Sequence, residues 1–405
     1  MRPVSLLAIS VLVLASACSP QTDRSSPPSS TIEPALTANE IDSQIALDPE
    51  RAVESSALPP RHLDTSAFPE SLVDRTLIVS GGPPPDGIPS IDAPTFAPVG
   101  SIDWLDDDEA VLVLDVEGDV HIYPTQIMVW HEIVNDEIAG RPVAVTFCPL
   151  CNSGLAFERS VPHPNGTHMV LDFGTSGSLY QSAMVMYDRQ TESLWTHFDG
   201  RAVIGDLVGV ELDRLPLGIT SWHDARAAHP SGEVLQRPAT DRDYGRNPYE
   251  GYDQLDGPIG GFFDGDIDSR LPAMTRVVGL DIGGETLAIT LDHLAAERLV
   301  AFEIGGQRVV LWHQPGLTSS LEADTVAGGR DIGAVAAFVT DDVFLLGPDG
   351  LSDEATNSTW NLFGRAIAGS RSGEQLTVAE KIDTFWFAWS TYHPATAVVD
   401  REGPP

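Results

Sequence analysis

The chain has 405 residues, with 59 acidic against 23 basic side chains and a formal net charge of −36. Such a surface repels phosphate backbones and anionic headgroups, which makes nucleic acid a poor partner. Beyond its leader and tether the chain keeps roughly 340 residues, enough for two ordinary domains.

Arg2 is followed by an apolar run, Val4 to Ala17, too short for a membrane span of about 20 residues. Residues 1–17 therefore read as a cleaved signal peptide. Ala15-Ser16-Ala17-Cys18 resembles the lipobox of bacterial lipoproteins. That resemblance implies lipidation at Cys18, and so an exported protein held by a lipid anchor in the bacterial cell envelope, at a membrane surface or in the periplasm. Residues 18–60 are rich in Ser, Pro, Thr and acids without hydrophobic periodicity, which predicts a disordered tether.

Val111–Val116 and Val120–Tyr123 flank Glu117-Gly118-Asp119 and predict a hairpin. Pro124 can start a helix, with Ile127, His131, Val134 and Ile138 on one face. Val143–Phe147 predicts a strand running into Cys148-Pro149-Leu150-Cys151, and Asn152-Ser153-Gly154 reads as a turn. Met169–Phe173 and Leu179–Tyr187 predict further strands, and Trp222–Ala228 a short helix before His229-Pro230.

The pattern then recurs. Phe198, Gly200, Arg201 and Ala202 correspond to Phe363, Gly364, Arg365 and Ala366, and Trp195, Trp222 and His229 to Trp360, Trp386 and His393. The expected class is α+β, strand-rich, built from two tandem copies of one structural repeat. The first repeat spans 61–238, a Tyr/Arg-rich connector 239–272, and a degenerate second repeat 273–400. Cys148 maps to Gln314 and Cys151 to Leu317, while Trp130-His131-Glu132 maps to Ala295-Ala296-Glu297. Chemistry is therefore expected in the first copy.

Cys148 and Cys151 are the leading candidates. Two thiols at this spacing close a disulfide, exchange electrons as a dithiol, or bind a soft metal ion, and the sequence leaves all three open. In the redox version Cys148 attacks and Cys151 resolves. In the metal version both thiolates hold copper or zinc, with His131 as third ligand and Glu132 beside it. Asp188 and Arg189 either orient a ligand or pin a polar turn. Within the connector, Arg242, Tyr244, Arg246, Tyr249 and Tyr252 form a dense set of planar donors, suited to an anionic or aromatic ligand or to a rigid stacked linker. The alternative to a thiol site is a non-catalytic module that grips a small ligand or partner, its cysteines merely stapling a loop. Whether the protein is an enzyme stays open. P-loop, Rossmann, HExxH and nucleophile-elbow motifs do not occur.

Several long runs resemble the prokaryotic domain-of-unknown-function 3179 family. They are Gly81-Gly82-Pro83-Pro84 with Asp86-Gly87-Ile88-Pro89, Trp130 to Asp136, Val145 to Ser153, Tyr187 to Trp195, Tyr244 to Tyr249 with Gly251-Tyr252-Asp253, and Arg270-Leu271-Pro272. The resemblance extends from about residue 70 to the end. It implies that the thiol, Trp-His-Glu and Tyr/Arg segments belong to one unit, and it implies no mechanism.

Overall fold

The computed structural model describes residues 70–401 apart from 163–165, 264 and 348–349. The leader, Cys18 and the tether lie outside the described residues. The class is α+β and strand-rich: the described α-helices, four in number, have seven residues each. None is long and apolar enough to cross a membrane.

The chain builds a hairpin from β1 (Ala110–Val116) and β2 (Asp119–Pro124). Glu117 and Gly118 both take positive φ at its turn, and the Gly118 N–H donates to Asp115. Helix α1 (Thr125–His131) follows Pro124 with all seven residues buried. It stops where Glu132 adopts φ 58°, so the helix expected to carry Val134 and Ile138 ends early. Ile133–Ile138 is instead β3, paired antiparallel with β4 (Arg141–Cys148). A spacing of four satisfies strand alternation as well as a helical face, and β-branched Ile133 and Val134 tip the balance once a partner strand exists.

β5 (Ser153–Glu158) extends this sheet on the other side of β4. A second sheet contains β6 (Phe173–Tyr180), β7 (Ala183–Asp188), β8 (Leu194–Thr196) and β9 (Arg201–Ile204) in antiparallel order. The strand expected over Leu179–Tyr187 is two strands, because Gln181 and Ser182 both take positive φ and reverse the chain. β10 (Leu217–Ser221) pairs with β1, and α2 (Trp222–Ala228) lies where the sequence puts it.

The second half follows the same order. A hairpin of β11 (Arg276–Ile282) and β12 (Glu285–Thr290) leads to α3 (Leu291–Glu297), then to β13 (Leu299–Ile304), β14 (Gln307–Gln314) and β15 (Ala334–Val339). Near the end come β16 (Ile382–Phe385), paired with β11, and α4 (Trp386–Tyr392). Arg298 caps α3 at φ 66° as Glu132 caps α1 at φ 58°, so it is Arg298 and not Glu297 that shares the local geometry of Glu132. The offset of one arises because Glu297 is the last helical residue, not the cap. One hydrophobic cluster contains Cys148, Cys151, Trp195 and Phe198 together with Phe385, Trp386 and Trp389, so both halves pack around the thiols.

Candidate functional site

β4 ends at Cys148 and β5 begins at Ser153, which pair across the strands. The Cys-Pro-Leu-Cys run is thus the tip of a hairpin, not the start of a helix. The Asn152 N–H closes it on the Pro149 carbonyl, and Asn152 accepts the left-handed φ of 53°. Both thiols are free and buried, at 1% and 0% exposure. The Met184 N–H of β7 donates to Cys148 Sγ at 3.4 Å. Cys151 Sγ lies 3.0 Å from Ser153 Oγ. The Cys151 carbonyl accepts from Thr384 Oγ1 at 2.7 Å and from the Phe385 N–H at 3.2 Å, so β16 of the second half fixes the loop.

The third member is His197, just after β8. Ligand atoms of Cys148, Cys151 and His197 lie within 4.8 Å of one another, and all three residues are buried. The tautomer of His197 follows from its neighbour. Thr146 spends its hydroxyl proton on the Leu155 carbonyl at 3.0 Å, so its oxygen accepts from His197 Nε2–H at 2.8 Å. Nδ1 is then the bare nitrogen, and it is buried with no oxygen or nitrogen partner. An orienting hydrogen bond on the far nitrogen is the arrangement that prepares an imidazole as a ligand.

The two thiols are electrostatically unequal. Burial opposes ionisation of Cys151, but contacts with Cys148, with His197 in its protonated form and with Ser153 outweigh it and pull its pKa down. Cys148 is pushed up by burial and by its neighbours Cys151 and Glu132. The contacts that favour a thiolate thus gather on Cys151, which Ser153 and His197 flank, and not on Cys148, to which the sequence reading gave the attacking role.

His131 does not join this group. Its Nδ1 faces the Pro89 carbonyl and its Nε2 the Tyr244 hydroxyl, both at 2.7 Å. The end of α1 directs it toward the 81–92 segment and the connector, and His197 stands where His131 was expected. Glu132 is buried nearby, and Tyr249 OH donates to it at 3.2 Å. Burial raises its pKa to about 8, Tyr249 lowers it, and Cys151 raises it further. Glu132, Leu150, Met184 and Tyr249 line a cavity of about 40 Å3, room for about three waters.

The connector residues serve this neighbourhood. Tyr244 holds His131, Tyr249 holds Glu132, and Tyr252 OH donates to the Leu150 carbonyl at 2.8 Å. Arg242 sits 5.6 Å over the Trp130 ring, and exposed Arg246 lines an outer polar cleft. Tyr249 and Tyr252 thus brace Glu132 and the thiol loop, while Tyr244 braces His131.

Asp188 and Arg189 also act as braces. Asp188 accepts from the Thr191 N–H, Thr191 Oγ1 and Trp195 Nε1, and Asp353 makes the same contacts with Thr356 and Trp360. Arg189 pairs with Asp86 at 2.9 Å and Asp92 at 3.1 Å, pinning the 81–92 segment. That segment presses on Gly177, where an added Cβ would lie 1.9 Å from the Pro83 oxygen.

The second half lacks every donor. Gln314 and Leu317 take the thiol positions, Arg298 that of Glu132, and only Asn361-Leu362-Phe363 stand between Trp360 and Gly364. The first half has four residues between Trp195 and Gly200, His197 among them. With Phe198 answering Phe363 the extra residue is Asp199, and His197 stands opposite apolar Leu362; a histidine in place of a leucine was the sequence clue to His197.

The family profile described as "Protein of unknown function (DUF3179)" matches residues 85–396. No curated protein matches, and no solved structure does.

Proposed function

Since the chain belongs to the DUF3179 family, proteins of unknown function, we propose its function from the site itself: a buried soft-metal centre held by Cys148, Cys151 and His197. The observation that carries this is the donor set, three buried ligands within 4.8 Å with Nδ1 of His197 bare. Thiolate and imidazole suit copper or zinc and not the oxygen-seeking cations. The ion would supply Lewis acidity or one-electron chemistry according to its identity. The chain's own residues orient the imidazole through Thr146, fix the loop through Thr384, and keep a neutral Glu132 at hand.

The fold does not require these donors, since the matching positions of the second half carry Gln314, Leu317 and Leu362-Phe363 on the same strand order. We read the two halves as copies of one unit, the second having lost the site. We further propose an exported protein, lipid-anchored through Cys18 in the cell envelope; its support is the sequence of residues 2–18 alone.

Thiol-disulfide exchange is the second reading, favoured by the lowered pKa of Cys151. Burial of both sulfurs weighs against it for protein disulfides, because attack needs in-line access to sulfur. The ligand-gripping module has less support, because the connector tyrosines are engaged internally.

Thiol titration and elemental analysis, on protein purified without a metal-affinity tag, test the proposal. The expected result is about one equivalent of copper or zinc, lost in Cys148→Ser and in His197→Ala. Two titratable thiols with no metal retained after reconstitution would overturn it, and a disulfide readily reduced by glutathione would favour exchange instead.

A further inference from the structure

A cavity of about 570 Å3 opens between the two halves, within the size range of small-molecule sites. β5 and β10 line one side, β15 and the turn at Asn361–Phe363 the other. Leu217, Ile219 and Phe363 face it and are only partly buried, and Val378 is 41% exposed. Leaving such apolar surface wet forgoes about 25 cal/mol per Å2.

The polar lining has an unusual balance. Three cations, Arg214, Arg365 and Lys381, meet two carboxylates, Asp115 and Glu380. The whole chain has the opposite ratio, 23 basic to 59 acidic. Lys381 is taken by Asp383. Arg214 is half-buried and donates to the Phe198 carbonyl, and among the described residues neither it nor Arg365 is ion-paired with a carboxylate. Glu380, Asp199, Asp281 and Glu211 act on Arg214 only from beyond ion-pair distance, and a direct contact from an anion in the cavity would be the closer one. His229 at the same wall has a buried Nε2 without a partner.

We propose that this cavity binds an amphipathic carboxylate, with a long apolar body against Leu217, Ile219 and Phe363 and an anionic head on Arg214. Arg365 stands exposed at the rim and draws the anion in. The inference is independent of the metal centre.

The test is fluorescence titration of the full chain with a dansyl-labelled undecanoic acid, competed by oleate and by oleyl alcohol. The expected result is displacement by oleate at one site, with oleyl alcohol at least about tenfold weaker and Arg214→Gln weakening oleate by about tenfold or more. Ile219→Trp, which narrows the cavity beside Leu217 and Phe363, should weaken probe binding by about tenfold or more while the melting temperature shows a folded protein. Equal competition by the alcohol, or an Arg214→Gln variant that binds oleate as the parent does, overturns the anionic head. Absence of probe binding to the parent protein, or probe binding unweakened in Ile219→Trp, overturns the cavity as the site.

Discussion

Glu132→Gln should remove a pH dependence of stability that only a buried acid can create. The carboxyl is buried to 6% exposure, and burial carries its pKa from 4.5 to about 8 against the opposing bond from Tyr249. At 1.36 kcal/mol per pKa unit, ionising it in the folded state costs about 5 kcal/mol. Between pH 4.5 and about 8 the native protein binds more protons than the unfolded chain. The stabilisation is therefore complete below pH 4.5 and is lost as pH rises toward 8. Gln has the shape of the neutral acid and no proton to lose. Cys151, whose pKa is lowered, runs in the opposite direction; it is present in both proteins, so the difference between them carries the Glu132 titration together with its coupling to the thiols. Urea unfolding of both metal-free proteins from pH 5 to 9 should show the variant gaining on the parent by about 1.4 kcal/mol per pH unit, levelling above pH 8. Parallel curves across that range would mean that native Glu132 is ionised or hydrated, and the electrostatic account of the site would fail.

His197→Ala should lose retained metal while costing about 1–3 kcal/mol of stability, read by elemental analysis and by melting. Tyr249→Phe removes the one bond that lowers the Glu132 pKa; it should cost about 1 kcal/mol and extend the falling limb of the pH–stability curve to higher pH. Asp188→Ala and Asp353→Ala should each cost about 2–4 kcal/mol, since each strips a threonine and a tryptophan of their acceptor, with metal content unchanged. Metal lost in Asp188→Ala alone, with the fold intact, would assign that carboxylate to the site and not to the turn.

Features whose causes are local were legible in the residues themselves. The Glu117-Gly118 hairpin, the helix over Trp222–Ala228, the strand into Cys148 and the turn after Cys151 follow from turn chemistry and β-branching within a few positions. The thiol pair drew attention as a site for the same reason, its spacing being a property of four consecutive residues. The end of α1 was not legible, because Val134 and Ile138 satisfy helix and strand templates alike and only pairing with β4 chooses between them. The third donor was not legible from spacing either. His131 is nearer to the thiols in sequence than His197, yet α1 delivers it to Pro89 and Tyr244 while the turn after β8 delivers His197 to Thr146 and the sulfurs. The connector tyrosines likewise look like ligand donors in sequence and are bracing bonds in space. Residue types and their near neighbours determine which chemistry this chain can perform; which donors meet depends on how separate sheets and a second half pack around one loop, and packing acts over distances that sequence spacing does not encode.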